Sequence, residues 1–189
     1  MIDETNQANM AHAVREILSA VGEDPDRPGL VETPARVARM YAEVFATKTA
    51  APFDNYKLFK VAQPTEMVLL KDIPFYSMCE HHLLPFFGSV QVAYVPQHEQ
   101  VIGLSKIPRL IDYCSQQPNV QERLTVSIAT ELQRILDPAG VAVSISARHM
   151  CMEMRGVSKP GVHTESSYYS GEFKTDLELK REFLQRIAK

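Results

Sequence analysis

The stretch Val141-Ala142-Val143-Ser144-Ile145-Ser146-Ala147-Arg148-His149-Met150-Cys151 carries the strongest structural pattern in the chain. Its odd positions are apolar as far as Ala147, whereas its even positions include two serines and an arginine. Because successive side chains of a strand point to opposite faces, this alternation predicts a β-strand with one buried face. The same alternation places His149 and Cys151 at the end of that buried face.

The segments around this strand show helical and strand patterns in turn. The predicted strands are Glu66–Lys71, Phe87–Val95, Val141–Cys151 and Ser166–Lys174. The predicted helices are Ala11–Val21, one capped by Thr33 with Pro34 following, Lys106–Gln116, Val120–Leu136, and one capped by Thr175 with Glu178 that ends near Ile187. This order is typical of an α+β fold with an antiparallel sheet and packed helices. We expect an N-terminal helical segment over residues 1–64 and one continuous domain over residues 65–189.

Composition and charge exclude several classes of protein. The chain has 189 residues, of which 45% are hydrophobic, and no apolar run reaches the roughly 18 residues that a membrane span needs. The polar segment Met1–Met10 lacks the pattern of a signal peptide, so we expect a cytoplasmic protein. A net charge of −3 offers no large basic surface for nucleic acid. Three cysteines in such a compartment are better explained as thiols or metal ligands than as a disulfide framework.

The segment Cys79-Glu80-His81-His82 is the densest chemical cluster. Cys79 and His82 are three residues apart, so one helical turn would aim both at one point. Cys151 is the better third ligand, because Cys114 continues an apolar helical stripe and is better explained as a core residue. Cys79, His82 and Cys151 would leave a fourth position open to water, which is the pattern of catalytic zinc sites. The sequence therefore predicts a zinc enzyme that hydrolyses a small substrate.

The cysteines and histidines of this cluster also suit roles without catalysis. Cys79 and Cys151 would suit a redox disulfide, and His81 or His149 would suit the fourth ligand of a closed structural zinc site. His149 would equally suit an ordinary buried histidine, and His81 an exposed turn residue. The metalloprotease motif His-Glu-x-x-His, the nucleobase deaminase signature and the glycine-rich nucleotide loops are absent from the sequence.

Basic side chains recur near the predicted ends of elements. Ser105 with Lys106 and Arg109 opens a helix, which is a favourable place for phosphate. Arg155 follows Cys151 closely, and Arg36 with Arg39 lies along one helix edge. Each group taken alone also suits a solvated surface. Glu122, after Gln121, suits either purine recognition or a capping interaction with Asn119.

Four longer motifs occur together in one order. They are Ser77-Met78-Cys79-Glu80-His81-His82-Leu83-Leu84-Pro85-Phe86, Gly103-Leu104-Ser105-Lys106, Gln121-Glu122-Arg123-Leu124-Thr125 and His149-Met150-Cys151-Met152-Glu153-Met154-Arg155-Gly156-Val157. The chain resembles the GTP cyclohydrolase I family from about Ala11 to Ile187. The resemblance implies the tunnelling fold, with residues 65–189 as its catalytic domain, and a homodecamer of two pentamers.

The same resemblance implies a reaction and a role for each matching residue. The family hydrolyses and rearranges GTP to 7,8-dihydroneopterin triphosphate and formate, using zinc-activated water. The positions that match its sites are Cys79, His82 and Cys151 for the metal; His81 and His149 for catalysis; Gln121 and Glu122 for guanine; and Ser105, Lys106, Arg109, Arg155, Arg36 and Arg39 for the ribose and triphosphate. The alternatives are a nitrile reductase of the same fold and a non-catalytic zinc-binding or redox module.

One segment departs from the family pattern. Where the family has a Thr-x-Thr-x-Thr stretch, this chain has Thr164-Glu165-Ser166-Ser167-Tyr168, followed by Tyr169. The two bulky tyrosines put local packing and assembly in question, but not the metal site.

Overall fold

The computed structural model describes residues 2–47, 51–62 and 66–188. It divides into two compact units between Ala51 and Pro52. The domain boundary predicted from the sequence at residues 64 and 65 involves residues outside the described ranges, and it stays a prediction. Within the described ranges, no helix has both the length and the apolar character needed to cross a membrane.

The first unit contains two helices, α1 (Glu4–Ala20) and α2 (Thr33–Val44). The first helix begins well before Ala11 because the Asp3 carboxylate accepts a hydrogen bond from the backbone N–H of Asn6, 2.7 Å away, and caps it. Thr33 is the first helical residue and not the cap, since its N–H already donates to the carbonyl of Leu30.

The second unit is built on a five-stranded sheet. In chain order its elements are β1 (Leu58–Lys60), β2 (Val68–Cys79), β3 (Pro85–Val95), β4 (Gln100–Ile102), α3 (Lys106–Ser115), β5 (Pro118–Asn119), α4 (Gln121–Leu136), β6 (Gly140–His149), α5 (Met150–Glu153), β7 (Thr164–Gly171), α6 (Glu172–Thr175) and α7 (Leu177–Ile187). The order in the sheet is β5-β2-β3-β6-β7, and only the short β5–β2 pairing is parallel. The predicted α+β class with an antiparallel sheet is confirmed.

The main core lies between the sheet and the helices α3 and α4. Val143 and Ile145 of β6 are fully buried there. They share one hydrophobic cluster with Leu110 of α3 and Leu124 of α4. The predicted buried face of β6 is therefore confirmed as far as Ala147. Burying each large apolar side chain contributes about 1.5–3 kcal/mol, which makes the sheet a rigid base for the residues at its ends.

The opposite face of the sheet is partly covered by α6 and α7. Phe173 and Phe183 are buried there against Ala93 and Ala142. Tyr169 joins this second cluster, with its ring centroid 6.1 Å from that of Phe183. Its neighbour Tyr168 packs against the main core. Within the chain, the two bulky tyrosines thus fill the two faces of β7.

Other element boundaries also differ from the sequence-based predictions. β2 begins at Val68 and continues to Cys79, beyond the predicted end at Lys71. β6 ends at His149, and Cys151 lies in the single helical turn α5, where the N–H of Met154 donates to the carbonyl of Met150. β7 ends at Gly171, whose positive φ of 53° and close approach to the Ala139 carbonyl suit glycine alone. The last helix is capped by Asp176 and not by Thr175, because the Asp176 carboxylate accepts from two backbone N–H groups.

Candidate active site

The turn that joins β2 to β3 brings the first two predicted ligands together. Cys79 is the last residue of β2, and its carbonyl accepts from the N–H of His82 at 3.4 Å and from the N–H of Leu83 at 2.8 Å. These are the bonds of a single helix-like turn, so Cys79 and His82 come to the same side of it. Leu83 then adopts a left-handed φ of 51°, which directs the chain back into β3.

Cys151 completes the cluster from the turn that follows β6. The strand register places the end of β6 beside the start of β3, where His149 pairs with Phe86. The sulfur atoms of Cys79 and Cys151 and a ring nitrogen of His82 all lie within 4.8 Å of one another. Two thiols and one imidazole are donors that zinc prefers, and their separation suits a single ion.

The protonation of Cys151 depends on whether a cation is bound. Burial and the neighbouring Cys79 raise the pKa of the Cys151 thiol. A bound cation would offset this effect by stabilising the thiolate. Zinc binding at this cluster should therefore release protons.

The third cysteine, Cys114, lies outside this group of donor atoms, although it shares the main core with the buried Cys79. Cys114 lies in α3, is 2% exposed, and belongs to the main core. Burial, with a smaller contribution from Glu131, raises the pKa of its thiol to about 12. Cys114 is therefore a neutral core residue, as the helical stripe predicted.

His149 stands beside this cluster at the end of β6. Its ring stacks on Phe86, its cross-strand partner, with centroids 4.9 Å apart and planes at 4°. Burial lowers the pKa of His149, while the charge of Glu122 acts in the opposite direction. Its Nε2 atom lies 2.8 Å from Oε1 of Gln121.

The Gln121 side chain supports His149 from the buried side. It is 1% exposed, and its Nε2 donates to the carbonyls of Ile145 at 3.1 Å and Thr164 at 2.9 Å and to Oγ of Ser166 at 3.0 Å. Because carbonyls only accept, the amide has one orientation, and its oxygen must receive the N–H at Nε2 of His149. Both amide N–H groups are thus engaged within the chain, so a guanine contact through them stays a prediction.

Glu122 lies one residue further on, exposed in the first turn of α4. Its charge acts on His149 and opposes the effect of burial on the pKa of that residue. The suggested capping interaction with Asn119 is wrong. Val120 occupies the N-cap position, and Oδ1 of Asn119 instead accepts from Nε of Arg123 at 3.1 Å.

A small polar network holds the turn between the two ligands. Arg123 of α4 forms an ion pair with Oε2 of Glu80. The other oxygen of Glu80 lies 4.0 Å from Nε2 of His81, whose Nδ1 lies 3.8 Å from the sulfur of Cys79. His81 therefore stands, exposed, between a carboxylate and a predicted metal ligand.

Arg155 is the predicted anion-binding residue that contacts the cluster directly. Its Nη1 lies 2.9 Å from Nε2 of His82, and both side chains are exposed. The contact puts a permanent positive charge beside the predicted metal site. Such a charge would attract an anionic substrate.

The other predicted anion-binding residues lie on two helices. Ser105, Lys106 and Arg109 stand at the start of α3, where Lys106 donates to Oδ1 of Asn55 at 2.8 Å. Arg36 and Arg39 lie on α2 of the first unit. Convergence of these side chains on one substrate stays a prediction.

Comparison with known proteins identifies the family. The family model described as GTP cyclohydrolase I matches residues 10–188. The chain belongs to the GTP cyclohydrolase I family. It is 94% identical to GTP cyclohydrolase 1 of Lactiplantibacillus plantarum over 189 residues, covering 100% of both chains. It is 54% identical to GTP cyclohydrolase 1 of Latilactobacillus sakei, covering 99% of this chain and 100% of the relative.

Solved structures add a more distant similarity. The apo form of the archaeosine synthase QueF-Like covers 58% of this chain and 97% of its own, with a TM-score of 0.46 and 21% sequence identity. Membership of the GTP cyclohydrolase I family agrees with the predicted tunnelling fold. It confirms the predicted enzyme class and the conversion of GTP to dihydroneopterin triphosphate. Of the functions considered from the sequence, it favours this one over the nitrile reductase and the non-catalytic module.

The structure also brings residues to the site that the sequence did not single out. Phe86 stacks on His149, Arg123 holds Glu80, and Arg148 pairs with Glu153 on either side of Cys151. Strand register, once known, pairs Phe86 with His149. No sequence pattern predicts the two ion pairs, because the spacing of residues does not show which carboxylate an arginine side chain will meet.

Proposed function

We propose that this chain converts GTP and water to 7,8-dihydroneopterin triphosphate and formate at a zinc ion held by Cys79, His82 and Cys151. The observation that carries the proposal is the convergence of these three donor atoms within 4.8 Å, from two separate segments of the chain. A zinc ion there supplies a Lewis acid that lowers the pKa of water to about 7. The donor set fits this ion, since two thiolates and an imidazole leave a coordination position free.

His149 serves as the proton-transfer group for opening the imidazole ring of guanine. Its Nε2 is committed to Gln121, so Nδ1 is the atom that exchanges a proton with the substrate. Burial favours the neutral ring, whereas the nearby charge of Glu122 favours the protonated one. Burial has the larger effect, so the neutral ring is favoured, and its unprotonated Nδ1 can take up a proton and return it.

His81 serves as the second proton-transfer group, for the ribose opening, the rearrangement and the reclosure. It is exposed beside Glu80, with its Nε2 atom 4.0 Å from Oε1 of that carboxylate. Its position next to Cys79 keeps it within the same site. His81 lies in the turn after β2 and His149 at the end of β6, and two such histidines suit a reaction whose proton transfers occur at the base and then at the sugar.

The remaining predicted residues bind the substrate. The Glu122 carboxylate accepts donors from the edge of guanine, with Gln121 behind it. A triphosphate carries about four negative charges, so several cationic groups must meet it. Arg155 is supported for this role by its contact at the cluster. The others proposed for the ribose and triphosphate are Ser105, Lys106, Arg109, Arg36 and Arg39.

We further propose that the chain works in the cytoplasm as a homodecamer of two pentamers and supplies pterin biosynthesis, tetrahydrofolate included. β7 forms one edge of the five-stranded sheet, and such an edge can pair with a second copy. Light scattering on the purified protein tests the assembly. A mass near that of ten chains is expected, and a monomer that turns over GTP would contradict it.

The test of the activity is incubation with GTP, with formate and pterin fluorescence measured in parallel. Both products should form in equal amounts. A chelator should stop their formation, and addition of zinc should restore it. Zinc binding without GTP turnover would instead support a non-catalytic module. Turnover that survives complete removal of the metal would contradict the role of zinc.

A further inference from the structure

The helical turn that carries Cys151 is too short to be stable without contacts to the rest of the chain. The α5 helix comprises Met150–Glu153, a single turn, and an isolated turn of helix is unstable in water. The other two donors, Cys79 and His82, come from a separate hairpin turn. A metal site whose ligands come from two segments needs contacts that hold these segments in a fixed relative position.

An ion pair joins Arg148 and Glu153, which lie on either side of Cys151 in the chain. Nε and Nη2 of Arg148, on β6, donate to the two carboxylate oxygens of Glu153, at the end of α5, at 2.8 Å and 2.6 Å. The Glu153 side chain is 7% exposed. Such a two-point contact fixes orientation as well as distance. Since Cys151 lies between the partners in sequence, the pair holds the α5 turn on the end of the strand.

The sheet in turn fixes Arg148. Its guanidinium carbon lies 5.6 Å from the ring centroid of Phe87, its cross-strand neighbour. Phe87 stacks on Tyr76 of the next strand, with centroids 5.6 Å apart and planes at 26°. A row of stacked side chains thus runs over three strands to Arg148, and this leaves its side chain little rotamer freedom.

Glu153 also connects the turn to the segment that follows. The N–H of Lys159 donates to the carbonyl of Met152 at 3.0 Å and closes the segment after α5. Arg155, which contacts His82, lies within this segment. The pKa of Glu153 is lowered mainly by Arg148 and also by the nearby backbone N–H of Gly161. Glu153 therefore adjoins both the turn with Cys151 and the loop with Arg155.

We propose that Arg148 and Glu153 form a positioning pair that holds Cys151 for metal binding and Arg155 beside the site. Neither side chain is a ligand, and the inference rests on the proposed zinc site. Partners of this kind, one step removed from a metal, typically change its affinity by about 10–100-fold. Loss of the ion pair should therefore weaken zinc binding, although all three proposed ligands remain.

The test measures the rate at which zinc-loaded protein releases zinc to a chromogenic chelator. Glu153→Gln and Arg148→Met are each expected to speed release about tenfold. Because the two residues act as one unit, the double variant should release zinc no faster than the faster single variant. In the cobalt-substituted protein, the sulfur-to-metal absorption band of Glu153→Gln should also weaken or shift.

Glu131→Gln is the matched control. Glu131 pairs with Arg134 on α4 at 2.8 Å and its side chain is partly exposed, but the pair flanks no metal ligand. Its loss should leave zinc release within about twofold of the parent, as expected of an ordinary ion pair at the surface. Equal release rates for Glu153→Gln and Glu131→Gln would overturn the proposal.

Arg148→Lys decides the question if Glu153→Gln does not fold. It keeps the charge but loses the two-point geometry, so it should still release zinc several-fold faster than the parent. Release at the parent rate would overturn the positioning role. A parent protein that binds no zinc would contradict the proposed function itself, so the two failures are distinguishable.

Discussion

The Nε2 atom of His149 and the Oε1 atom of Gln121 lie 2.8 Å apart, at the junction of β6 and α4. The amide of Gln121 cannot turn over, because its nitrogen donates to the carbonyls of Ile145 and Thr164. The backbone of two strands thereby determines which nitrogen of the proposed catalytic histidine carries its hydrogen. In the neutral ring, this leaves Nδ1 as the unprotonated nitrogen.

Replacing Gln121 by Met should remove the acceptor for His149 while keeping a side chain of similar length. We expect kcat for GTP to fall about 100-fold, because a mispositioned proton-transfer group loses most of its contribution. KM should stay within about twofold, since the side chain is buried. Steady-state kinetics of the two parameters provide the measurement.

The control for that experiment is Glu122→Gln at the exposed neighbouring position. Loss of the guanine-binding carboxylate should raise KM more than it lowers kcat. A Gln121→Met variant with unchanged kcat and a greatly raised KM would show that Gln121 binds guanine and does not position His149.

Replacing Cys151 by Ser should abolish zinc binding and GTP turnover. A hydroxyl is a much poorer zinc ligand than a thiolate, and two remaining donors hold the ion weakly. Cys114→Ser should leave one zinc per chain, because Cys114 is not among the grouped donor atoms. Metal analysis of both purified variants checks this, and equal loss of zinc in the two would contradict the ligand assignment.

Thiol accessibility should separate the three cysteines of the chain. Cys114, with a pKa of about 12, is almost entirely protonated at pH 8 and should not react with an aromatic disulfide reagent in the folded protein. In metal-free protein, the partly exposed Cys151 should react faster than the buried Cys79 and Cys114, and zinc should protect it. Reaction of Cys114 before unfolding, detected by peptide mass spectrometry, would contradict its place in the core.

Arg123→Gln should loosen the turn that carries Cys79 and His82. The pair with Glu80 is partly exposed, so we expect less than about 1 kcal/mol of lost stability. GTP turnover should fall several-fold, because Glu80 also faces His81. Thermal unfolding and kinetics measure the two effects, with Arg181→Gln on α7 as a surface control. Parent activity in Arg123→Gln would show that the turn holds its shape without this pair.

Periodicity predicted the parts of the fold that packing enforces. The buried face of β6 and the apolar stripe with Cys114 were found, because one side of each element must be removed from water. The predicted end of this strand at Cys151 is wrong, since alternation alone does not reveal where the chain leaves the strand and forms α5. The spacing of Cys79 and His82 predicts that they share one turn, because residues three apart in the chain stay close in space.

The supporting residues of the site could not be predicted in the same way. Gln121 reaches His149 across the helix–sheet interface, and Glu153 meets Arg148 only after the chain reverses. Both contacts depend on tertiary packing, which spacing in the sequence does not encode. The family resemblance supplied functional positions. Its assignment of Gln121 to guanine stays a prediction, and the side-chain N–H groups of Gln121 are engaged within the chain.

X-ray absorption at the zinc edge is the most direct test of the proposed metal site. We expect two sulfur neighbours at about 2.3 Å, one imidazole nitrogen at about 2.0–2.1 Å and one further light atom from solvent. The Cys151→Ser variant, reconstituted at high zinc concentration, should show a single sulfur. A parent spectrum with one sulfur, or with the fourth position closed by a second histidine, would contradict the proposed catalytic zinc site.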